Sequence, residues 1–268
     1  MRYDKCPKCA FAPLPAEQAF PAACPRCGLI LAKFGAAPPA GSRSATALAS
    51  ARGADTEYGD DSLLQRLLGP FTYVPAQVLR SFWILRIAGL VAMALATLYL
   101  LARYDLESGK GGLWLVHAFI TPFHEVGHLV FMPFGELMMN LGGTIGQHAV
   151  CIGIGALFLY RNRDPFAAAL MLWVLGYSLL AMATYMYDAW NPQVTLLTGR
   201  TGDTGGHDWI DIFGDLGLLP RAQPIGRAFH KLAYVVQFAA IGWGAWLVAR
   251  QYGHLSDDAT AEEERPED

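Results

Sequence analysis

From residue 81 to residue 250 the chain is a series of long apolar runs separated by short polar breaks. Residues 1–62 instead carry Pro, Ala, Gly and Ser, and residues 253–268 are acidic. A helix needs about 20 apolar residues to cross a bilayer. Five segments approach that length: about Phe82 to Ala102, Leu113 to Phe134, about Gly143 to Tyr160, Phe166 to Tyr187, and about Leu232 to Val248. Their margins carry charges: Arg86, the run Arg161-Asn162-Arg163-Asp164-Pro165, Lys231 and Arg250. Trp83, Trp114, Tyr160, Tyr187 and Trp190 fall near segment ends, where an aromatic belt is expected. The pattern predicts an all-α polytopic membrane protein with about five transmembrane helices. Before them, Leu63, Leu64, Leu67 and Leu68 mark a short amphipathic stretch broken by Gly69-Pro70 and Pro75. It either lies on the membrane surface or packs as a short helix on the domain.

Composition agrees with this division. The chain is 53% hydrophobic and 16% charged, against about 25% charged in an average soluble domain. That excludes a disordered protein and an ordinary soluble enzyme. A net charge of -3 supplies no basic field, so nucleic acid is not an expected partner. The first thirty residues lack the apolar core of a secretory signal peptide. The predicted organisation is a cysteine-bearing head at 1–34, a flexible linker at 35–62, a juxtamembrane segment at 63–80, a transmembrane domain at 81–252 and an acidic disordered tail at 253–268.

Four of the five cysteines form two pairs, Cys6-Pro7-Lys8-Cys9 and Cys24-Pro25-Arg26-Cys27-Gly28. Each pair can turn two thiolates toward one ion, and together they complete a tetrahedral shell. The segment resembles a zinc ribbon with a closed, structural Zn site that would supply most of the head's folding energy. A redox pair or two disulfides is the alternative. Zinc thiolates favour a reducing compartment, which places the N-terminus in the cytoplasm with a cytosolic protein as the ribbon's partner. Lys and Arg divide almost equally between the two sides, so the ribbon sets the orientation. Five spans would put the tail on the opposite side. A re-entrant second segment, with Pro122 and Pro133, would change that count.

The second segment contains His124-Glu125-Val126-Gly127-His128, an HExxH pattern. On a helix the two histidines share a face and can bind one metal ion. Glu125 is displaced by one position and can take a proton from a bound water and return it to a leaving amine. Bound zinc brings the water's pKa to about 7. Ionisable groups inside a span are costly and by default functional. The alternative is a polar cluster hydrogen-bonded between helices.

A catalytic zinc site needs a third protein ligand and an open position. The richest source is the stretch from Thr201 to Asp215. Asp208 is the preferred ligand, with His207 as the alternative and Asp211 also suitable. Asp208 can also begin the following helix, and Trp209 can pack the loop into the bundle. A solvated polar loop is the other reading. Asp188 and Asn191 are weaker candidates, a carboxylate there being able to orient a ligand histidine instead. His117, Gln147 and His148 are candidates for bonding a ligand or touching substrate, and each can equally be an ordinary interhelical contact. The glycines of Gly142-Gly143-Thr144-Ile145-Gly146 suit close packing, and Cys151 reads as a small packing residue.

An intramembrane HExxH in a multi-span bundle resembles the site-2 protease class of intramembrane zinc metallopeptidases, over roughly Leu113 to Leu219. Pro133-Phe134-Gly135 and Gly142-Gly143 resemble a divergent bacterial branch of that class. The resemblance implies His124 and His128 as ligands, Glu125 as general acid and base, a bacterial inner membrane location and cleavage of a transmembrane protein substrate. One departure stands out. The family's third ligand is an aspartate followed by glycine, and this chain has no Asp-Gly dipeptide; Gly206-His207-Asp208-Trp209 takes that place. Two other functions fit the sequence. One is a non-catalytic membrane adaptor or scaffold with structural zinc sites. The other is a metal or proton transporter with His117, His124, His128 and His148 along a path.

Overall fold

A computed structural model describes residues 3–6, 12–14, 24–25, 67–196 and 199–256. The chain divides into two units, Met1–Asp61 and Ser62–Asp268. In the first, Cys6 and Cys24 are buried. Cys9 and Cys27, and with them the four-cysteine site, lie outside the described residues. So do the linker, Leu63, Leu64 and the tail beyond Ser256.

The second unit is a helical bundle: α1 (Arg80–Arg103), α2 (Trp114–Phe131), α3 (Glu136–Ala156), α4 (Pro165–Asp188), the short α5 (Asp208–Asp215) and α6 (Ala222–Gln251). Two-residue strands, β1 (Val78–Leu79) and β2 (Leu255–Ser256), pair in parallel. The helix boundaries follow local chemistry. Asp164 caps α4, its carboxylate accepting from the amides of Phe166 and Ala167, with Pro165 at the first helical position. Gly135, at φ +96, turns the chain between α2 and α3. α3 starts seven residues before the sequence pattern placed it, because Glu136, Asn140 and two glycines dilute its apolar run. It ends in a π-turn over Leu157–Arg161.

Four helical stretches are long and apolar enough to cross a membrane: Arg80–Arg103, Glu136–Arg161, Pro165–Asp188 and Leu219–His254. At 24 residues, α1 is about 36 Å long, more than a hydrocarbon core of about 30 Å. Only 17% of its apolar window is buried in the protein. Phe82, Ile84, Leu85, Leu95, Leu98 and Leu101 point outward. Such an apolar exterior fits an integral membrane protein and would be a liability in water.

α2 is the second of the five predicted spans, and it is not among the four. Three histidines and a glutamate lower its hydropathy, and its path explains how they are tolerated. α1 rises from the strand end of the bundle to the opposite, loop end, where the Tyr104 and Thr184 hydroxyls meet at 2.7 Å. The chain then descends beside α4, passing Thr184 at Gly109 and Tyr177 at Gly112. α2 begins there: Val116 packs with Met93, Trp173 and Ala240, from the central parts of α1, α4 and α6. α2 then climbs back to the loop end, antiparallel to α3, with Gly127 against Gly142 and Phe123 against Gly146. The second segment therefore takes a re-entrant course within the bundle, entering part-way and turning back beside the four helices long and apolar enough to cross a membrane. The β1–β2 pairing brings the segment before α1 and the segment after α6 to the same end of the bundle, as an even number of crossings would require. In place of five predicted spans, the described residues hold four helices long and apolar enough to cross, with Val78 and Leu255 paired at one end of the bundle.

Three crossing helices are tied by buried polar groups. Trp173 Nε1 donates to Thr97 Oγ1 at 2.8 Å, and Thr97 donates to Gln237 Oε1 at 3.2 Å. At the strand end Arg86 lies 3.3 Å from Asp164.

Candidate metal centre

α2 has two faces. Leu115, Phe119, Phe123, Val126 and Val130 face outward at helical spacing. The opposite face brings His117, His124 and His128 to a cavity of about 560 Å³ opening among the loop-end segments. The close seat of α2 on α3 comes from glycine. A Cβ on Gly127 would strike the carbonyl of Gly142, and one on Gly142 would stand 2.5 Å from the carbonyl oxygen of Gly127.

On this seat His124 Nε2 lies 3.1 Å from Asp208 Oδ2, and His128 Nε2 lies 3.4 Å from the same oxygen. The three ligand atoms lie within 4.8 Å of one another. Zinc bonds of about 2.0–2.1 Å give a tetrahedral ligand spacing of roughly 3.3 Å, which matches both distances. The donor chemistry fits a cation as well. His128 Nδ1 lies 2.8 Å from the carbonyl of Met139. A carbonyl only accepts, so Nδ1 carries a hydrogen, and in the neutral ring Nε2 is then the lone-pair nitrogen turned toward Asp208. His124 Nδ1 lies 3.1 Å from Gln147 Oε1. Gln147 in turn donates Nε2 to the Ser178 carbonyl at 3.4 Å, which sets that amide's orientation. In their neutral forms both rings thus present an Nε2 lone pair toward the same carboxylate oxygen. Three acceptors converge, and a positive ion is what such a group can hold.

Asp208 opens α5, with His207 in the N-cap position. Trp209, Ile212 and Phe213 anchor this short helix against Met182 and Met186. The predicted role of Trp209 in packing the loop is thereby observed. Asp211, one turn on, stays outside the group, its Oδ2 3.5 Å from Asn140 Nδ2. Burial holds the Asp211 carboxyl above its ordinary range, with Asp208 and Asp215 adding to the effect. His207 turns away and lies 3.2 Å from Asp188 Oδ2, both side chains fully buried. It is therefore no fourth donor, and Asp188 orients His207 rather than a histidine of the group. Asn191 donates its backbone amide to the Asp188 carbonyl in a turn and is not part of the three-atom group.

Glu125 and His117 line the same cavity as the three-atom group, and Gln147 bonds its first histidine. His148 is not brought there: its Nδ1 bonds back to the Thr144 carbonyl of its own helix at 2.6 Å. Cys151 is buried in the core among Leu100, Ile120 and Leu180. Three contributors were not singled out from sequence. The Met139 carbonyl is invisible to side-chain reasoning. Tyr185, 6.5 Å from His124 ring to ring, sits in an ordinary apolar run. Gly143 was visible only as a packing residue.

Comparison with protein-family models, curated proteins and solved structures yields no match for this chain.

Proposed function

We propose that the chain is an intramembrane zinc-dependent endopeptidase of the site-2 protease-like kind. In this reading it resides in a bacterial inner membrane, with the cysteine head as a cytoplasmic zinc ribbon. The observation that carries the reading is the convergence of His124, His128 and Asp208 on a cavity that Glu125 also lines. The absent Asp-Gly dipeptide ceases to weigh against it, since Asp208 reaches the histidines without a following glycine.

His124, His128 and Asp208 would hold the zinc, which would supply Lewis acidity toward a scissile carbonyl and a water. The chain supplies the rest. Glu125 takes the proton from the attacking water and passes it to the leaving amine. Gln147 and the Met139 carbonyl hold the imidazoles in the tautomer that leaves Nε2 free to bind. The cavity opens among the loop-end segments, and a substrate helix must unwind to present a peptide bond there.

The other readings find less support. A closed four-donor structural site would need His207, which bonds Asp188. A histidine path would need His148, which lies off the cavity. The test is cleavage of a pool of transmembrane peptides in proteoliposomes, read by mass spectrometry. Wild type is expected to cut. Glu125→Gln is expected to lose cleavage and keep its metal. Full activity of Glu125→Gln would overturn the mechanism.

A further inference from the structure

We infer that Asp188 is a positioning hub: its buried carboxylate pins His207, so setting Asp208 against the two histidines, and pins the Val194 segment of the cavity wall. The inference rests on the metal-site reading above. Asp188 is 2% exposed and His207 1% exposed. Asp188 Oδ2 lies 3.2 Å from His207 Nε2. The other oxygen, Oδ1, accepts from the amides of Gln193 at 2.7 Å and Val194 at 3.0 Å. Three donors from two segments thus converge on one buried carboxylate, which accounts for its tolerance inside the bundle.

The placement is otherwise unfavourable. Asp188 is the last residue of α4, where the helix dipole opposes a negative charge. It is held there by what it ties together. His207 immediately precedes Asp208, so fixing its ring fixes the backbone from which the ligand projects. Two further contacts close the clamp. The Tyr185 ring lies 4.0 Å from the His207 ring. The Tyr185 hydroxyl accepts from the Asp208 amide at 3.3 Å and donates to the Gly206 carbonyl at 3.4 Å. Gly202 leaves room for the imidazole: a Cβ there would stand 2.5 Å from its Cδ2.

The second arm of the hub reaches the substrate space. Val194, Thr195 and Leu196 line the cavity beside Asp208. A peptide pressing on that wall loads the same carboxylate that holds the ligand loop. Wall and ligand loop are therefore coupled through one side chain.

The experiment uses the full chain carrying Cys6→Ser and Cys9→Ser, so that cobalt reports the helix site. His207→Leu removes the donor, and His207→Gln keeps an N–H at similar reach. Hydrogen–deuterium exchange of residues 199–211 without added metal reads the pin itself. Cobalt affinity and its visible spectrum read the consequence, with Asp208→Ala as the reference for a lost carboxylate. His207→Leu is expected to speed exchange and weaken cobalt binding on the order of 10–100-fold. Its spectrum should move toward that of Asp208→Ala, and His207→Gln should restore most of both. Unchanged exchange, or faster exchange with wild-type cobalt affinity and spectrum, overturns the inference. Should the parent protein bind no cobalt at His124 and His128, the metalloenzyme reading fails, and exchange alone decides the pin.

Discussion

Gly143 lies directly against His128: a Cβ on Gly143 would stand 2.6 Å from His128 Nε2, and 2.7 Å from Nε2 of His124 as well. The floor of the three-atom group is therefore a bare glycine backbone. A methyl group can be accommodated only if the imidazoles swing away, and swinging breaks their bonds to Met139 and Gln147. Gly143→Ala is expected to keep the helical content, since alanine favours a helix over glycine by about 1 kcal/mol. It should nevertheless lose the metal of this site. Circular dichroism with metal analysis checks both halves, and retention of metal by the folded variant would refute the floor role.

Two zinc ions per chain are expected in detergent-purified protein. Cys6→Ser with Cys9→Ser should remove one, and His124→Ala with His128→Ala the other. Binding also couples to stability. A metal present at about 100 times its dissociation constant stabilises the fold by about 2.7 kcal/mol. Chelation should lower the midpoint of thermal unfolding in wild type and in the cysteine variant. It should do so by a smaller step in the histidine variant, which has only the head's metal to lose. If the histidine variant holds as much metal as wild type, the centre on α2 is not a metal site.

Gln147 holds His124 from behind while its own amide is fixed by Ser178. Gln147→Leu keeps the volume and removes the acceptor, freeing the ring to change tautomer and orientation. Groups bonded to ligand histidines contribute about 10–100-fold in metal affinity. A loss in that range is expected by metal-competition titration, and an unchanged affinity would show that the ring is held by packing alone.

Much of the crossing architecture was legible in the apolar pattern, and the reasons are local. α1 and α4 begin and end within about two residues of their apolar runs, because charge, proline and an N-cap punctuate them sharply. α6 was underestimated at its start: Arg227, His230 and Lys231 interrupt its apolar pattern while the backbone continues as helix. The re-entrant course of α2 is a different matter. Its length and apolar ends match a span, and only the packing of Val116 and the descent past Gly109 and Gly112 show the turn-back. For the centre, HExxH gives two histidines by spacing alone, since i and i+4 must share a face. Asp208 and His207 are neighbours and both chemically suitable, with Asp208 the preferred reading. What separates them is Asp188, nineteen residues earlier in the chain, a long-range partner that no local pattern announces.

The Thr97 cluster predicts a purely structural effect. Thr97 is fully buried and links Trp173 to Gln237 across three crossing helices. Thr97→Val preserves shape and removes both bonds. Interhelical hydrogen bonds in membrane bundles average about 0.6 kcal/mol and reach about 1.7 kcal/mol. Unfolding in bicelles should show a destabilisation of about 1 kcal/mol, with metal content unchanged. A loss of metal would mean that α1 and α6 support the centre more directly than their contacts indicate.

The re-entrant course of α2 makes the sharpest prediction about topology. Thr72 and His254 are exposed beside β1 and β2, whereas Lys110 and Arg200 are exposed among the loops at the other end. Single cysteines at these positions, labelled with a membrane-impermeant maleimide in sealed vesicles and mapped by peptide mass spectrometry, should react in two groups. Thr72→Cys and His254→Cys should share one side. Lys110→Cys and Arg200→Cys should share the other. Were α2 a full span, an odd number of crossings would place Thr72 and His254 on opposite sides, and the direct pairing of Val78 with Leu255 could not form in a membrane. The outcome also fixes where a substrate would be cut, because the cavity containing His124, His128 and Asp208 opens among the segments around Ser108, Thr195 and Gly206. In the proposed reading a substrate would reach Glu125 from the side that Lys110 and Arg200 share, by unwinding within the bundle beside α2.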